Sequence, residues 1–213
     1  MKKQSRLSCA EEARLRNIID MAMGFSAMMR LFAEGSKRQL HEKILATARE
    51  VFEAESERDY IAIHSRFCIW GIASVMRAER EKNGVITKKA THASYGQMAK
   101  TLDVALSVAI YYCHLPDCVK SQELSPWLNS AVDTKMMAML RRCYPKDLQP
   151  WPRTIEQVDS AAYAAIQKLV RRFIEEVHKG SITPAQFDDI YWRLLNKGPE
   201  CPAMRKSQPL PHT

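Results

Sequence analysis

Apolar residues recur along most of the chain with the three-to-four-residue spacing that is typical of amphipathic helices. In the first segment, for example, Leu15, Ile18, Ile19 and Met23 fall on one helical face. The same pattern predicts helical segments over residues 9–34, 36–54, 56–82, 95–114, 133–140, 155–178 and 184–195. The expected fold class is therefore all-α, a compact multi-helix bundle of about seven helices with flexible termini.

Helix start signals locate the beginnings of these segments more clearly than the hydropathy pattern does. A serine or threonine followed three residues later by Glu or Gln has the spacing of a capping box, in which each side chain bonds the backbone N–H of the other residue. Asn83-Gly84 has the composition of a left-handed cap and is expected to end the third helix. The four capping-box pairs are Ser8 with Glu11, Ser36 with Gln39, Ser94 with Gln97 and Thr154 with Gln157.

The fourth segment, residues 95–114, is apolar on nearly every side and is predicted to be a central core helix. Its beginning, residues 94–104, has apolar spacing similar to the first half of a helix-turn-helix. The following residues 105–113 contain no Arg, Lys, Asn or Gln that could bond a base edge. The sequence leaves open whether residues 94–112 form one buried helix or a helix-turn-helix.

Composition limits the class of protein. With seven glycines, ten prolines and few β-branched residues among 213, the chain does not resemble a β-sandwich or a nucleotide-binding α/β protein. Six cysteines without paired spacing indicate free thiols. The N-terminus lacks the apolar run of a signal peptide, and no stretch is long enough to span a bilayer, so we expect a cytoplasmic protein without membrane contact. We predict no metal site and no cofactor.

The positive charge is concentrated outside the predicted helices. The chain has 32 Lys and Arg against 24 Asp and Glu, a formal net charge of +8. The excess falls in residues 1–6, 82–92 and 197–213, whereas the charges of the two long helical blocks, 7–81 and 93–196, cancel each other. We therefore predict a flexible basic arm over residues 1–7, a single helical domain over 8–198 with a basic loop at 84–93, and a disordered tail over 199–213. The residues expected to contact nucleic-acid phosphates are Lys2, Lys3, Arg6, Lys82, Lys88 and Lys89.

One short segment has a possible catalytic pattern. Arg58 and His64 stand six residues apart at the start of the third helix, and this spacing resembles the Arg-x4-6-His signature of HEPN ribonucleases, which are small all-helical bundles. The resemblance covers seven residues and implies that Arg58 stabilises phosphate charge while His64 transfers a proton at the RNA 2′-hydroxyl.

These observations support three functional hypotheses. The leading one is a non-enzymatic helical module of a macromolecular assembly, with nucleic acid as the favoured partner of the basic arms. The first alternative is a HEPN-like metal-independent ribonuclease that uses Arg58 and His64. The second is a pure protein-protein adaptor, which would bind another protein chain or form a homo-oligomer.

Overall fold

The computed structural model describes residues 8–197 and confirms the all-α fold class, with eight α-helices in this range. The predicted basic arm, residues 1–7, and the predicted tail, residues 199–213, lie outside the described residues. The helices are α1 (Cys9–Phe25), α2 (Glu34–Phe52), α3 (Glu57–Ser74), α4 (Tyr95–Leu106), α5 (Cys118–Leu124), α6 (Thr134–Cys143), α7 (Ser160–His178) and α8 (Pro184–Lys197).

The segment between α3 and α4 was predicted wrongly, because it contains four short strands in place of a loop. These are β1 (Met76–Arg77), β2 (Arg80–Lys82), β3 (Val85–Lys88) and β4 (Thr91–His92). β1 pairs with β4 and β2 pairs with β3, both antiparallel. Asn83 and Gly84 have φ of 54° and 77° and form the tight turn of the β2–β3 hairpin, whose right-handed twist this geometry suits. They do not cap α3, which ends at Ser74.

Two of the four predicted capping boxes form, at Ser8 with Glu11 and at Ser94 with Gln97. The other two predictions were wrong. Ser36 makes a tertiary contact, and Asp159 caps the helix that Thr154 was expected to cap. α2 begins before Ser36, and the buried Ser36 hydroxyl accepts a hydrogen bond from the Met76 N–H at 2.9 Å. Thr154 precedes only a 3-10 turn, Ile155–Gln157, and the carboxylate of Asp159 caps α7 instead.

The first predicted segment also divides. α1 ends at Phe25, and a separate 3-10 turn, Ala27–Leu31, leads into α2. Between them Ser26 has an extended backbone, with its N–H still bonded to the carbonyls of Ala22 and Met23. The chain therefore changes direction where the sequence pattern suggested one continuous helix.

The fourth predicted helix lies at the centre of the fold, as expected. α4 packs against α1, α2, α3 and α7. It continues without a turn into a π-helical segment, Ser107–Tyr112, so residues 95–112 form one helix and no helix-turn-helix is present there. Its fully buried side chains include Met98, Leu102 and Leu106. Within the described range, the helices all fall short of the length and apolarity that a membrane span requires.

Candidate functional site

Three helices bring polar side chains together in the middle of the core. His64 projects from α3, Asp103 from α4 and Tyr163 from α7, and each is at most 5% exposed. Buried polar groups require partners, because leaving one unsatisfied costs on the order of 1–3 kcal/mol. These three side chains are hydrogen-bond partners of one another, although His64 and Tyr163 lie 99 residues apart in the sequence.

The geometry is that of a charged hydrogen-bonded triad. His64 Nε2 lies 2.9 Å from Asp103 Oδ1, and the Tyr163 hydroxyl donates to Asp103 Oδ2 at 2.7 Å. The Tyr163 hydroxyl also lies 3.2 Å from His64 Nε2, and the two rings are stacked with centroids 5.3 Å apart. Both carboxylate oxygens of Asp103 are therefore occupied.

The surroundings shift the ionisation of these groups. Burial by itself lowers the pKa of His64, but the neighbouring Asp103 and Cys68 together outweigh it and raise the pKa to about 10. Burial raises the pKa of Asp103, and His64, Tyr163 and Lys100 oppose that rise. Burial also raises the pKa of the Tyr163 hydroxyl, so Tyr163 remains a donor. At neutral pH His64 is an imidazolium paired with the Asp103 carboxylate.

A thiol completes the buried network, which we define as His64, Cys68, Asp103 and Tyr163. Cys68 Sγ lies 3.7 Å from His64 Nδ1, one helical turn along α3. The order thiol, imidazole, carboxylate is the arrangement that activates a cysteine nucleophile in several enzyme classes. In this structure Cys68 is fully buried, and the half-buried Tyr95 packs against Tyr163 with ring centroids 5.7 Å apart. The network as it stands is closed to substrate and cross-links α3, α4 and α7.

His64 was predicted from the sequence as a candidate functional residue, but its partners Asp103 and Tyr163 were not. Asp103 and Tyr163 lie 39 and 99 residues from His64 in the chain, beyond any local motif. An aspartate inside a helix predicted to be buried was the available signal, since a buried carboxylate needs a cationic partner. Arg58, the other member of the predicted ribonuclease pair, is exposed to solvent at the start of α3. The structure therefore does not bring Arg58 and His64 to a common accessible site.

The predicted phosphate-contacting residues that the structure describes lie on the β2–β3 hairpin, residues 80–88, and directly after it. Lys88 and Lys89 are exposed, and Lys88 Nζ lies 3.6 Å from Glu156 Oε2. Lys82 ends β2, and its side chain is not described. Lys2, Lys3 and Arg6 lie outside the described residues.

The base of the hairpin is attached firmly to the helical body. The buried Arg77 guanidinium pairs with Glu156, which belongs to the 3-10 turn before α7. The Ala93 N–H donates to the Val75 carbonyl at 2.9 Å, beside the β1–β4 pair. The hairpin is thus an exposed ribbon on a fixed base.

Metal ligation finds no support in the described part of the chain. Among residues 8–197, no three His, Cys, Asp or Glu side chains are grouped so that they could hold a metal ion. The described cysteines are all free thiols, as expected, and Cys9 and Cys118 are exposed.

Comparisons with protein-family models, with curated proteins and with solved structures found no match to this chain.

Proposed function

We propose that this protein is a non-catalytic helical module of a nucleoprotein assembly and that its β2–β3 hairpin contacts nucleic-acid phosphates. The support comes from the position of the hairpin and from its charge. Every side chain described between residues 79 and 92 is exposed, in contrast to the neighbouring helices, which all bury one face. The hairpin with the residues on either side of it, 79–89, has four basic residues, Arg80, Lys82, Lys88 and Lys89, and two acidic ones, Glu79 and Glu81.

The observation that carries the proposal is a like-charge pair. Arg80 and Lys88 are cross-strand partners at the base of the β2–β3 ladder, next to a register shift between Arg80 and Glu81. Like charges in that position destabilise a sheet, so the stability of the hairpin does not account for them. Glu156 compensates Lys88 in part, but within the described residues no acid pairs with Arg80. An external anion such as a phosphate would neutralise the positive charges of both Arg80 and Lys88.

The shape of the hairpin suits the same partner. A two-stranded ribbon is one of the elements that the major groove of duplex DNA admits. The exposed apolar side chains of Val85 and Ile86 stand directly after the turn, at the outer end of the ribbon. They would supply apolar contact with nucleobases or sugars. The basic side chains nearer the helical body would contact phosphates.

The proposal is tested by the salt dependence of binding to a fluorescently labelled oligonucleotide, measured with both duplex DNA and single-stranded RNA. Lys88→Gln/Lys89→Gln should reduce the slope of log K against log[salt] by about 2, because each lost phosphate contact releases about one counterion fewer. A matched control is Lys146→Gln/Lys179→Gln, which removes the same charge from exposed positions on the helical body.

The control should leave the slope nearly unchanged. An equal loss in both variants would show that binding follows net charge and would overturn the role of the hairpin. Deleting residues 2–6 measures the separate contribution of Lys2, Lys3 and Arg6. Absence of any binding by the unaltered chain at low salt would reject the nucleic-acid proposal itself.

A further inference from the structure

The last described helix, α8, has a carboxyl group on the side that packs against the helical body. By helical spacing, Asp188 falls on the same face as the buried residues Ala185, Phe187 and Tyr191. Its Oδ1 is shielded from solvent and has no hydrogen-bond partner among the described residues. A buried polar atom that bonds nothing is costly, and the cost is larger when the group is charged. The arrangement therefore favours the neutral form of Asp188.

Charged side chains from α4, from the start of α6 and from α8 itself act on Asp188. Lys100 and Asp103 belong to α4, Asp133 immediately precedes α6, and Asp189 is the next residue of α8. Lys100 Nζ also lies 3.9 Å from Asp133 Oδ2, so its charge is shared between two carboxyl groups. Burial is the largest cause that raises the pKa of Asp188, to about 7; the three acids add to the rise and Lys100 opposes it. At neutral pH, Asp188 is thus near the midpoint of its titration.

Contacts with α7 and α6 hold α8 on the helical body. The rings of Phe187 and Tyr191 pack against Phe173 of α7, with centroids 5.7 and 5.3 Å from it. Near the C-terminal end of the helix, Lys135 of α6 donates to the Leu195 carbonyl at 3.2 Å. These contacts favour the docked helix, whereas an ionised carboxylate on the same face regains its hydration only when α8 moves away.

We propose that α8 is a pH-sensitive element, docked firmly when Asp188 is neutral and opened more readily when Asp188 is ionised. Opening here means a local separation of α8 from α6 and α7, without unfolding of the whole chain. It would expose to solvent the aromatic side chains that α8 buries. The proposal concerns a different part of the molecule from the β2–β3 hairpin and does not depend on nucleic-acid binding.

The direction of the effect follows from proton binding. Asp188 has its ordinary pKa of 3.8 once water reaches it, against about 7 in the docked helix, so the docked state binds the proton more tightly. Docking is therefore firmest below pH ~4 and weakens as pH rises towards ~7. His178 of α7, whose Nε2 lies 3.0 Å from the Tyr191 hydroxyl, acts in the opposite sense. Burial lowers the pKa of His178, so its titration strengthens docking as pH rises.

Hydrogen exchange of the full chain tests this inference, with each rate expressed as a protection factor so that the intrinsic pH dependence of exchange is removed. Protection of the α8 amides should fall at least about tenfold between pH 5 and 7, because each pH unit can change the opening equilibrium by up to about tenfold. The amides of α2, which packs against α1, α3 and α4, should change less. An unaltered chain whose α8 protection does not fall over this range would overturn the inference.

Two variants identify the group responsible. Asp188→Asn replaces the carboxyl group by an uncharged group of similar shape, so the fall in α8 protection should disappear. Asp189→Asn is the matched control, because it makes the same change at the next, exposed position and should keep the fall. An equal fall in Asp188→Asn and in the unaltered chain would assign the pH dependence to other groups. Weak protection of α8 in Asp188→Asn at pH 5 would also contradict the inference, because a neutral side chain at this position should permit docking.

Discussion

The buried network and the β2–β3 hairpin differ in how their charged groups are arranged: opposite charges are paired in the core, whereas like charges are neighbours on the hairpin. In the network, His64 and Asp103 pair with each other inside the core, and Tyr163 bonds the remaining carboxylate oxygen. On the hairpin, Arg80 and Lys88 are cross-strand partners and both are exposed, although Lys88 also lies near Glu156. A buried charge without its partner is costly, whereas an exposed charge is hydrated and remains available. The first arrangement stabilises the helical body, and the second suits binding.

The largest expected effect is the loss of one partner from the network. Asp103→Ala leaves the His64 imidazolium in the core without its counter-charge, so the free energy of unfolding should fall by about 3–5 kcal/mol. Urea denaturation measures the change. The control is Glu123→Ala, which removes only the exposed ion pair with Lys120 and should cost less than about 1 kcal/mol. Similar small losses in both variants would show that removing Asp103 does not leave an unpaired buried charge at His64.

The pH dependence of stability should also come from the network. The pKa of His64 is about 10 in the folded protein and about 6.5 when unfolded, so the folded state binds the proton more tightly. This stabilisation is complete below pH ~6.5 and is lost as pH rises through ~10, by up to ~1.4 kcal/mol per pH unit.

Urea titrations between pH 6 and 10 measure this fall. The double variant His64→Gln/Asp103→Asn removes both charges while keeping polar groups in place, so its stability should vary less over the same range. An equally steep fall in the double variant would assign the pH dependence to other groups.

Sequence alone could predict much of the helical body, because its apolar periodicity and caps are local. Ser8 and Ser94 cap their helices where the pattern indicates. The hairpin was missed because Asn83-Gly84 serves either as a helix cap or as a hairpin turn, and only the pairing of β2 with β3 decides between them. The pairing of His64 with Asp103 and Tyr163 depends on how α3, α4 and α7 pack, which no local spacing encodes.

A smaller loss of stability is expected from two glycine substitutions near α4, one against backbone and one against a flexible side chain. A Cβ added to Gly96 would lie 2.5 Å from the Ile155 carbonyl oxygen, which belongs to the turn carrying Glu156, the anchor of the hairpin base. Gly96→Ala should therefore cost about 1–3 kcal/mol in the free energy of unfolding.

Gly71→Ala is the matched variant, because the three atoms nearest to its added Cβ all belong to the Met98 side chain, the closest at 2.5 Å. A flexible methionine can move aside, so this change should cost less than Gly96→Ala. Urea denaturation of both variants checks the order. A larger loss for Gly71→Ala would show that the backbone contact at Ile155 yields more readily than the core.

The central claim is that the hairpin lysines serve binding and not stability, and the variant Lys88→Gln/Lys89→Gln tests it most directly. Two quantities are measured on the same preparation: the salt dependence of oligonucleotide affinity and the free energy of unfolding in urea. We expect the slope of log K against log[salt] to fall by about 2 while the free energy of unfolding changes by no more than about 0.5 kcal/mol. An unchanged slope, or a loss of stability that accompanies the loss of binding, would contradict it.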